Sequence, residues 1–211
     1  DVALWLNVLS AMFSALPILF LFWTITHLVK RLVLGWGAQA KPAMTTAQLI
    51  TILGSGAVGA LAYTFSDTFW FSAVEGEVYA CSSFLTAIVF WLILKWEDVA
   101  DEPQSGRWLI LIAYLTGVSV GIHLLNLLCI PAIVLVYYFR KTKTPTWKGI
   151  VAALLIAFGT VAAVLYGLVQ GLVEVAGVFE MFFVNTMELP YNTGGAVYMG
   201  FLFGLFTYGI W

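Results

Sequence analysis

The sequence has very little charge. Only 9% of its 211 residues are charged and 62% are hydrophobic, whereas a soluble domain carries about 25% charged residues. So few charges cannot cover a surface that faces water. This composition therefore excludes an ordinary soluble domain and makes lipid the main solvent of the chain.

Motifs of several other protein classes are also missing. There is no glycine-rich phosphate loop with its lysine and no His-Glu-x-x-His metal motif. Cys81 and Cys129 lie in apolar stretches without metal-ligand spacing, which favours buried packing residues over a disulfide or a metal site. Basic residues form no face that could bind a nucleic acid.

What the sequence does contain is a series of continuous apolar runs. Strands of membrane barrels alternate apolar and polar residues, whereas runs of about 20 apolar residues fit helices that cross a bilayer core. We predict an all-α integral membrane protein, a polytopic bundle of about seven transmembrane helices in a single domain, residues 1–211. The predicted spans are about 3–29, 48–65, 78–96, 108–121, 124–139, 149–173 and 196–211.

The charges between these runs are sorted by sign. All nine basic residues lie in or beside the breaks at 30–46, 97–107 and 140–148, whereas the breaks at 66–77 and 174–195 carry only acidic charges. Lysine and arginine accumulate on the cytoplasmic side of membranes. The two acidic breaks and Asp1 are therefore predicted to be extracytoplasmic. Because the chain starts without methionine and ends within an apolar run, we expect a piece of a longer protein.

One apolar run, 108–139, begins and ends at basic breaks and must cross an even number of times. Two short helices, 108–121 and 124–139, satisfy this count and place His123 and Asn126 at their turn. Polar groups at membrane depth are costly, so this pair could bind a phosphate on a lipid-linked substrate. The alternative is a histidine that caps a neighbouring helix or bonds to a backbone carbonyl.

The acidic break after the second span combines carboxylates with aromatic rings. The predicted sugar, head-group or metal site consists of Asp67, Trp70, Glu75, Glu77 and Tyr79. In the alternative interpretation Ser72 and Glu75 form a helix capping box, and the aromatic residues form an interfacial belt.

Three further stretches have simpler interpretations. Pro190, Tyr191 and Asn192 belong to an outer loop that forms either a lid over an acceptor groove or an ordinary connection. The small residues of 54–59 predict close helix packing, and the acidic run 97–102 predicts a solvated turn.

Several stretches resemble one bacterial, largely Bacteroidetes, membrane family long catalogued as a domain of unknown function and related to protein O-mannosyltransferases. They are 1–10, 20–27, 66–79, 117–131 and 189–192, and the most specific are Glu75-Gly-Glu-Val-Tyr79 and His123-Leu-Leu-Asn126. The resemblance implies a GT-C glycosyltransferase fold, a bacterial inner-membrane location, and sugar transfer from a polyprenyl-phosphate carrier to an acceptor protein on the outer face.

The resemblance also implies roles for individual residues. The family's general base is an aspartate in a Trp-Asp-x-Gly-Glu-Phe context, which Asp1 does not match. The catalytic residue is thus expected upstream, and residues 1–211 are expected to be inactive alone. His123 with Asn126 would contact the carrier phosphate, and Asp67, Glu75 and Glu77 would shape the sugar or acceptor side. No cofactor is implied beyond the lipid-linked sugar donor, and a divalent metal is left open.

Two other function classes fit the residues. Short helices with polar residues at membrane depth also occur in lipid or small-solute transporters and flippases, although no pseudo-symmetric second half is visible in this sequence. A structural membrane subunit of an envelope complex is the third interpretation. An acidic catalytic loop upstream of Asp1 would favour the enzyme over both.

Overall fold

The computed structural model describes residues 1–35, 44–76 and 78–210, and of Ile210 the backbone alone. These residues form helices and turns without a strand, which confirms the helical prediction. In chain order the elements are α1 (Val2–Leu34), α2 (Thr46–Thr64), α3 (Asp67–Val74), α4 (Val78–Asp98), α5 (Gly106–Val120), a 3₁₀ turn (Leu124–Leu128), α6 (Cys129–Lys141), α7 (Trp147–Ala162), a π-helical segment (Ala163–Gln170), α8 (Gly171–Asn185) and α9 (Thr193–Ile210).

Most of these helices have the length and composition of membrane spans. Within the described ranges, five stretches are long and apolar enough to cross a bilayer: Val2–Leu34, Thr46–Thr64, Val78–Asp98, Leu124–Lys141 and Trp147–Asn185. Helix α5 is apolar but has only 15 residues. The two predicted short helices, which form a hairpin of α5 and α6, therefore differ in length. The 3₁₀ turn runs directly into α6 and lengthens the second of them.

Two predicted breaks contain helix. The chain stays helical through Glu174 and Glu180 to Asn185, so the break placed at 174–195 is wrong over its first half. Glutamate is a good helix former, so its charge can mark the edge of the lipid core without ending a helix. Helix α3 likewise occupies most of the break at 66–77.

The predicted capping box at Ser72 and Glu75 is wrong. Ser72 lies inside α3, where its hydroxyl donates to the Thr68 carbonyl at 3.2 Å, and Glu75 ends that helix. A capping box is instead formed at the start of α2, where Thr45 and Gln48 bond to each other's backbone N–H groups. Spacing alone does not distinguish the two, since a capping box also needs an extended N-cap residue.

The chain divides into two compact units, Asp1–Leu155 and Ile156–Trp211. In the first unit α4 is central and packs against α1, α5 and α6. Its core is the cluster Val89, Leu92, Ile93, Trp96, Ala100, Ile112 and Cys129. In the second unit α8 packs against α9, with the Phe179 and Tyr198 rings 5.3 Å apart.

Helix α1 buries small and polar residues and exposes large apolar ones. Ser10, Ser14, Pro17 and Thr24 are among its few buried residues. Helix α2 packs on α1 through Gly56 and Gly59, where an added Cβ would lie 2.5 Å from an atom of α1 in each case. Small residues at close helix contacts are typical of membrane bundles, so the packing prediction for 54–59 is confirmed at these two glycines.

One end of the first unit, called here the basic end, carries the lysines and arginines that the structure describes. It comprises the C-terminal ends of α1, α4 and α6 and the N-terminal ends of α5 and α7. Arg31 pairs with Glu97 at 2.6 Å and with Asp98, and Arg140 pairs with Asp101. The run 97–102 is therefore not a simple solvated turn, because Glu97 and Asp98 end α4 and tie it to α1.

The opposite end is called the acidic end. It comprises the N-terminal ends of α1 and α4, the C-terminal ends of α2 and α5, and all of α3. The described carboxylates there include Asp67 and Glu75, whereas the sequence has no lysine or arginine between Lys41 and Lys95. The predicted segregation of charge is thus built into the fold of the first unit.

Candidate functional site

His123 lies at the acidic end, in the turn between α5 and the 3₁₀ turn. Its backbone is extended, with φ −160° and ψ 140°, and its Nδ1 accepts a hydrogen bond from the Leu125 N–H at 3.1 Å. The helix-capping interpretation of this histidine is therefore confirmed. It does not exclude a second role, because a neutral imidazole whose Nδ1 accepts carries its proton on Nε2.

Tyr79 lies beside this histidine. It is in the first turn of α4, and its ring centroid is 5.5 Å from that of His123. The sequence placed these two residues in separate candidate sites, 44 positions apart along the chain, and the fold brings them together. An imidazole donor and a phenol thus stand side by side at the acidic end.

Asn126 is placed differently from His123. It is fully buried, whereas His123 is half-buried. Its amide nitrogen and oxygen have no hydrogen-bond partner among the described residues. Its contact with a carrier phosphate stays a prediction.

Helix α3 is held to the bundle at both ends. Phe69 is buried and its ring lies 4.6 Å from that of Tyr63 on α2. The Ser10 hydroxyl on α1 is within hydrogen-bond distance of the Ala73 carbonyl at 2.9 Å and of the Glu75 carbonyl at 3.0 Å. The sequence did not single out Ser10, although a polar residue within an apolar helix is a signal for such a contact.

The carboxylates of this region are arranged around α3. Asp67 lies in its first turn, where the helix dipole favours a negative charge, and the exposed Glu75 follows its last turn. Glu77 lies outside the described residues. Within the ranges that the structure describes, no group of three histidine, cysteine or acidic side chains could hold a metal ion.

A cavity of about 420 Å³ lies among α1, α2, α4 and the hairpin. Its lining is mainly apolar and includes Leu21, Phe90, Leu125 and Cys129, with the Tyr63 and Thr86 side chains among them. Because Leu125 also donates its N–H to His123, the cavity is adjacent to the turn that carries the imidazole.

The predicted loop residues Pro190, Tyr191 and Asn192 belong to the second unit. The Glu180 carboxylate on α8 accepts hydrogen bonds from the Asn192 N–H at 2.5 Å and the Gly195 N–H at 2.8 Å. Asn192 has a φ of 70°, and Tyr191 is exposed. Glu180 thus fixes the loop at the start of α9, a role that its assignment to an acidic break did not predict.

These features define the class of the protein. A bundle of apolar helices, with small and polar residues inside and charges at the ends of the spans, is a polytopic helical membrane protein.

Comparison of sequences then gives the family. The chain belongs to the family described as protein O-mannosyl-transferase TMEM260 N-terminal domain, which matches residues 1–147. The match covers the acidic end with His123 and Tyr79 and ends before the loop with Tyr191. Comparisons with curated proteins and with solved structures gave no match. The relation to O-mannosyltransferases expected from the resemblance is therefore shown.

Proposed function

We propose that this chain forms membrane helices of a GT-C glycosyltransferase of a bacterial inner membrane. The enzyme moves a sugar from a polyprenyl-phosphate carrier to an acceptor protein, at the acidic end and on the extracytoplasmic face. Membership in an O-mannosyl-transferase family supports the reaction class. The observation that carries the site is the position of His123, whose Nε2 is left as a donor beside Tyr79 and next to an apolar cavity.

Sugar transfer requires a hydrogen-bond donor beside the carrier phosphate. When the sugar leaves, negative charge grows on the carrier phosphate, and a positioned hydrogen-bond donor stabilises it. The described lysines and arginines of the first unit lie at the basic end. His123 Nε2 and the Tyr79 hydroxyl are therefore assigned to the phosphate, together with the Asn126 amide, whose polar atoms have no partner among the described residues.

The cavity suits the lipid part of the donor. Its volume, about 420 Å³, lies within the range of sites that enclose a small ligand. An isoprenoid chain needs apolar walls, which Leu21, Phe90 and Leu125 supply. The proposal therefore places the first isoprene units in the cavity while the phosphate stays at the turn.

The remaining predicted residues are assigned to the sugar and the acceptor. Asp67, Glu75 and Glu77 would bind sugar hydroxyls, and the exposed loop with Pro190, Tyr191 and Asn192 would contact the acceptor protein. The resemblance implies that the general base, a carboxylate, is not among these residues. Assays of the proposal therefore use the full-length protein.

The test separates the two roles of His123. Asparagine is a good helix N-cap, so His123→Asn keeps an acceptor for the Leu125 N–H and removes the Nε2 donor. We expect wild-type thermal stability and a fall in kcat of about 10²-fold or more with polyprenyl-phosphate mannose. His123→Ala should lose both activity and stability.

His27→Asn is the matched control, since it changes the other histidine of the chain, at the basic end. It should retain the transfer rate. Full activity in His123→Asn would disprove the phosphate role. If the full-length protein moved polyprenyl phosphates between leaflets and transferred no sugar, the transporter interpretation would replace the enzyme.

A further inference from the structure

Helix α3 has two faces of opposite character. One face is packed on the bundle and consists of Phe69, Ser72 and Ala73, which are buried or half-buried. The other face is exposed. Its residues are Trp70, Phe71 and Val74, with Asp67 in the first turn of the helix, at the N-terminal end of this face.

The exposed face is apolar where a water-facing helix would be polar. Trp70 is 57% exposed, Phe71 68% and Val74 61%. Three neighbouring exposed apolar side chains on one helix face indicate a contact with something other than water. The face is not a result of loose attachment, because Ser10 and Tyr63 hold α3 from the other side.

The position of α3 identifies what covers this face. The helix connects the end of α2 to the start of α4, and both are membrane spans, so α3 lies at the level where the spans leave the bilayer. Helix α2 exposes apolar side chains along its length, and Phe65, directly after it, is 74% exposed. Exposed apolar side chains therefore run from α2 through Phe65 into α3.

The charges indicate how the face would bind lipid. The sequence has no lysine or arginine between Lys41 and Lys95, so attraction to anionic phosphate groups cannot contribute. Tryptophan is the residue most typical of the boundary between head groups and acyl chains, and amphipathic helices bury their apolar face at that depth.

We propose that α3 is an interfacial helix that inserts Trp70, Phe71 and Val74 into the head-group boundary of the bilayer and keeps Asp67 in water. The helix fixes the depth of the acidic end relative to the membrane. This proposal is independent of sugar transfer. It assigns Trp70 to lipid and not to the sugar or acceptor site in which the sequence placed it.

Spin labels test the proposal in the full-length protein in phosphatidylcholine nanodiscs. After all native cysteines, Cys81 and Cys129 among them, are replaced by alanine, single cysteines at positions 71 and 74 carry a nitroxide, and position 68, exposed on the same helix, is the control. Power-saturation spectroscopy then compares collisions with oxygen, which enriches in lipid, and with a polar nickel chelate. We expect oxygen to dominate at 71 and 74 and the chelate at 68.

The depth of the labels at positions 71 and 74 in the bilayer should not change when phosphatidylglycerol is added, because α3 has no positively charged side chain. Chelate access at 71 and 74 equal to that at 68 would overturn the proposal. So would poor access of both reagents, which would mean a protein cover, or protection that requires added sugar or acceptor. Trp70→Phe, without cysteine replacement, gives a second measurement: quenching by lipids brominated near the head group should fall, and an unchanged quenching profile would contradict the proposal.

Discussion

Ser10 and Ser14 lie one helical turn apart on the buried face of α1. The Ser10 hydroxyl bonds to carbonyl groups at the C-terminal end of α3, whereas the Ser14 hydroxyl has no partner among the described residues. The two serines have the same hydropathy and lie in the same apolar helix, so the sequence does not distinguish them. Their difference is a matter of what packs against each one.

This pair gives a matched test. Ser10→Ala should lower the free energy of unfolding by about 1–2 kcal/mol, because the Ala73 and Glu75 carbonyls lose their donor. Ser14→Ala should be neutral or slightly stabilising, since it removes an unpaired buried hydroxyl. Thermal unfolding in detergent measures both, and equal losses would contradict the assigned contact.

The role of His123 was only partly predictable from the sequence. Its place at the break of an apolar run predicted a special role but left capping and phosphate binding as alternatives. In the structure Nδ1 accepts from the Leu125 N–H, which is the capping contact, and the phosphate role that we propose uses Nε2. The sequence could not decide this, because the capping contact depends on the extended backbone of His123 itself.

At the scale of elements, hydropathy located the helices better than their ends. The turn between α5 and the 3₁₀ turn falls where the even number of crossings required it. The helix runs on to Asn185, beyond the predicted end at 173, because the charges of Glu174 and Glu180 predict a loop that does not begin there. A charge limits how deep a residue sits in lipid, while caps and turn residues end the helix.

Glu180 gives a test at this scale. Glu180→Gln leaves one carboxamide oxygen for the two N–H groups of Asn192 and Gly195, so we expect a loss of about 1–2 kcal/mol of stability. Proteolysis in the loop 186–192 should also become faster. Glu174→Gln, on an exposed residue of the same helix, is the control. Equal protease resistance of the two variants would show that the hydrogen bonds of Glu180 to Asn192 and Gly195 do not hold the loop.

At the scale of the whole molecule, the sign of charge distinguishes the two ends of the first unit. The ion pairs of Arg31 and Arg140 join α1, α4 and α6 at the basic end. The orientation that we propose places this end in the cytoplasm, because translocation of lysine and arginine is unfavourable.

Cysteine labelling in intact spheroplasts tests the orientation. A membrane-impermeant maleimide should react with Thr68→Cys at the acidic end without permeabilisation. Thr144→Cys, in the turn between α6 and α7 at the basic end, should react only after the membrane is opened. The reverse pattern would invert the orientation and remove the acidic end from the extracytoplasmic face.

The sequence by itself determined the membrane class, the separation of basic from acidic ends and the turn that carries His123, because these depend on composition and local hydropathy. Tertiary structure alone decided that Tyr79 lies against His123, that Ser10 holds α3 from 63 residues away, and which side of α3 faces outward. These features are contacts between separate helices, and no local pattern encodes which side chains meet when helices pack.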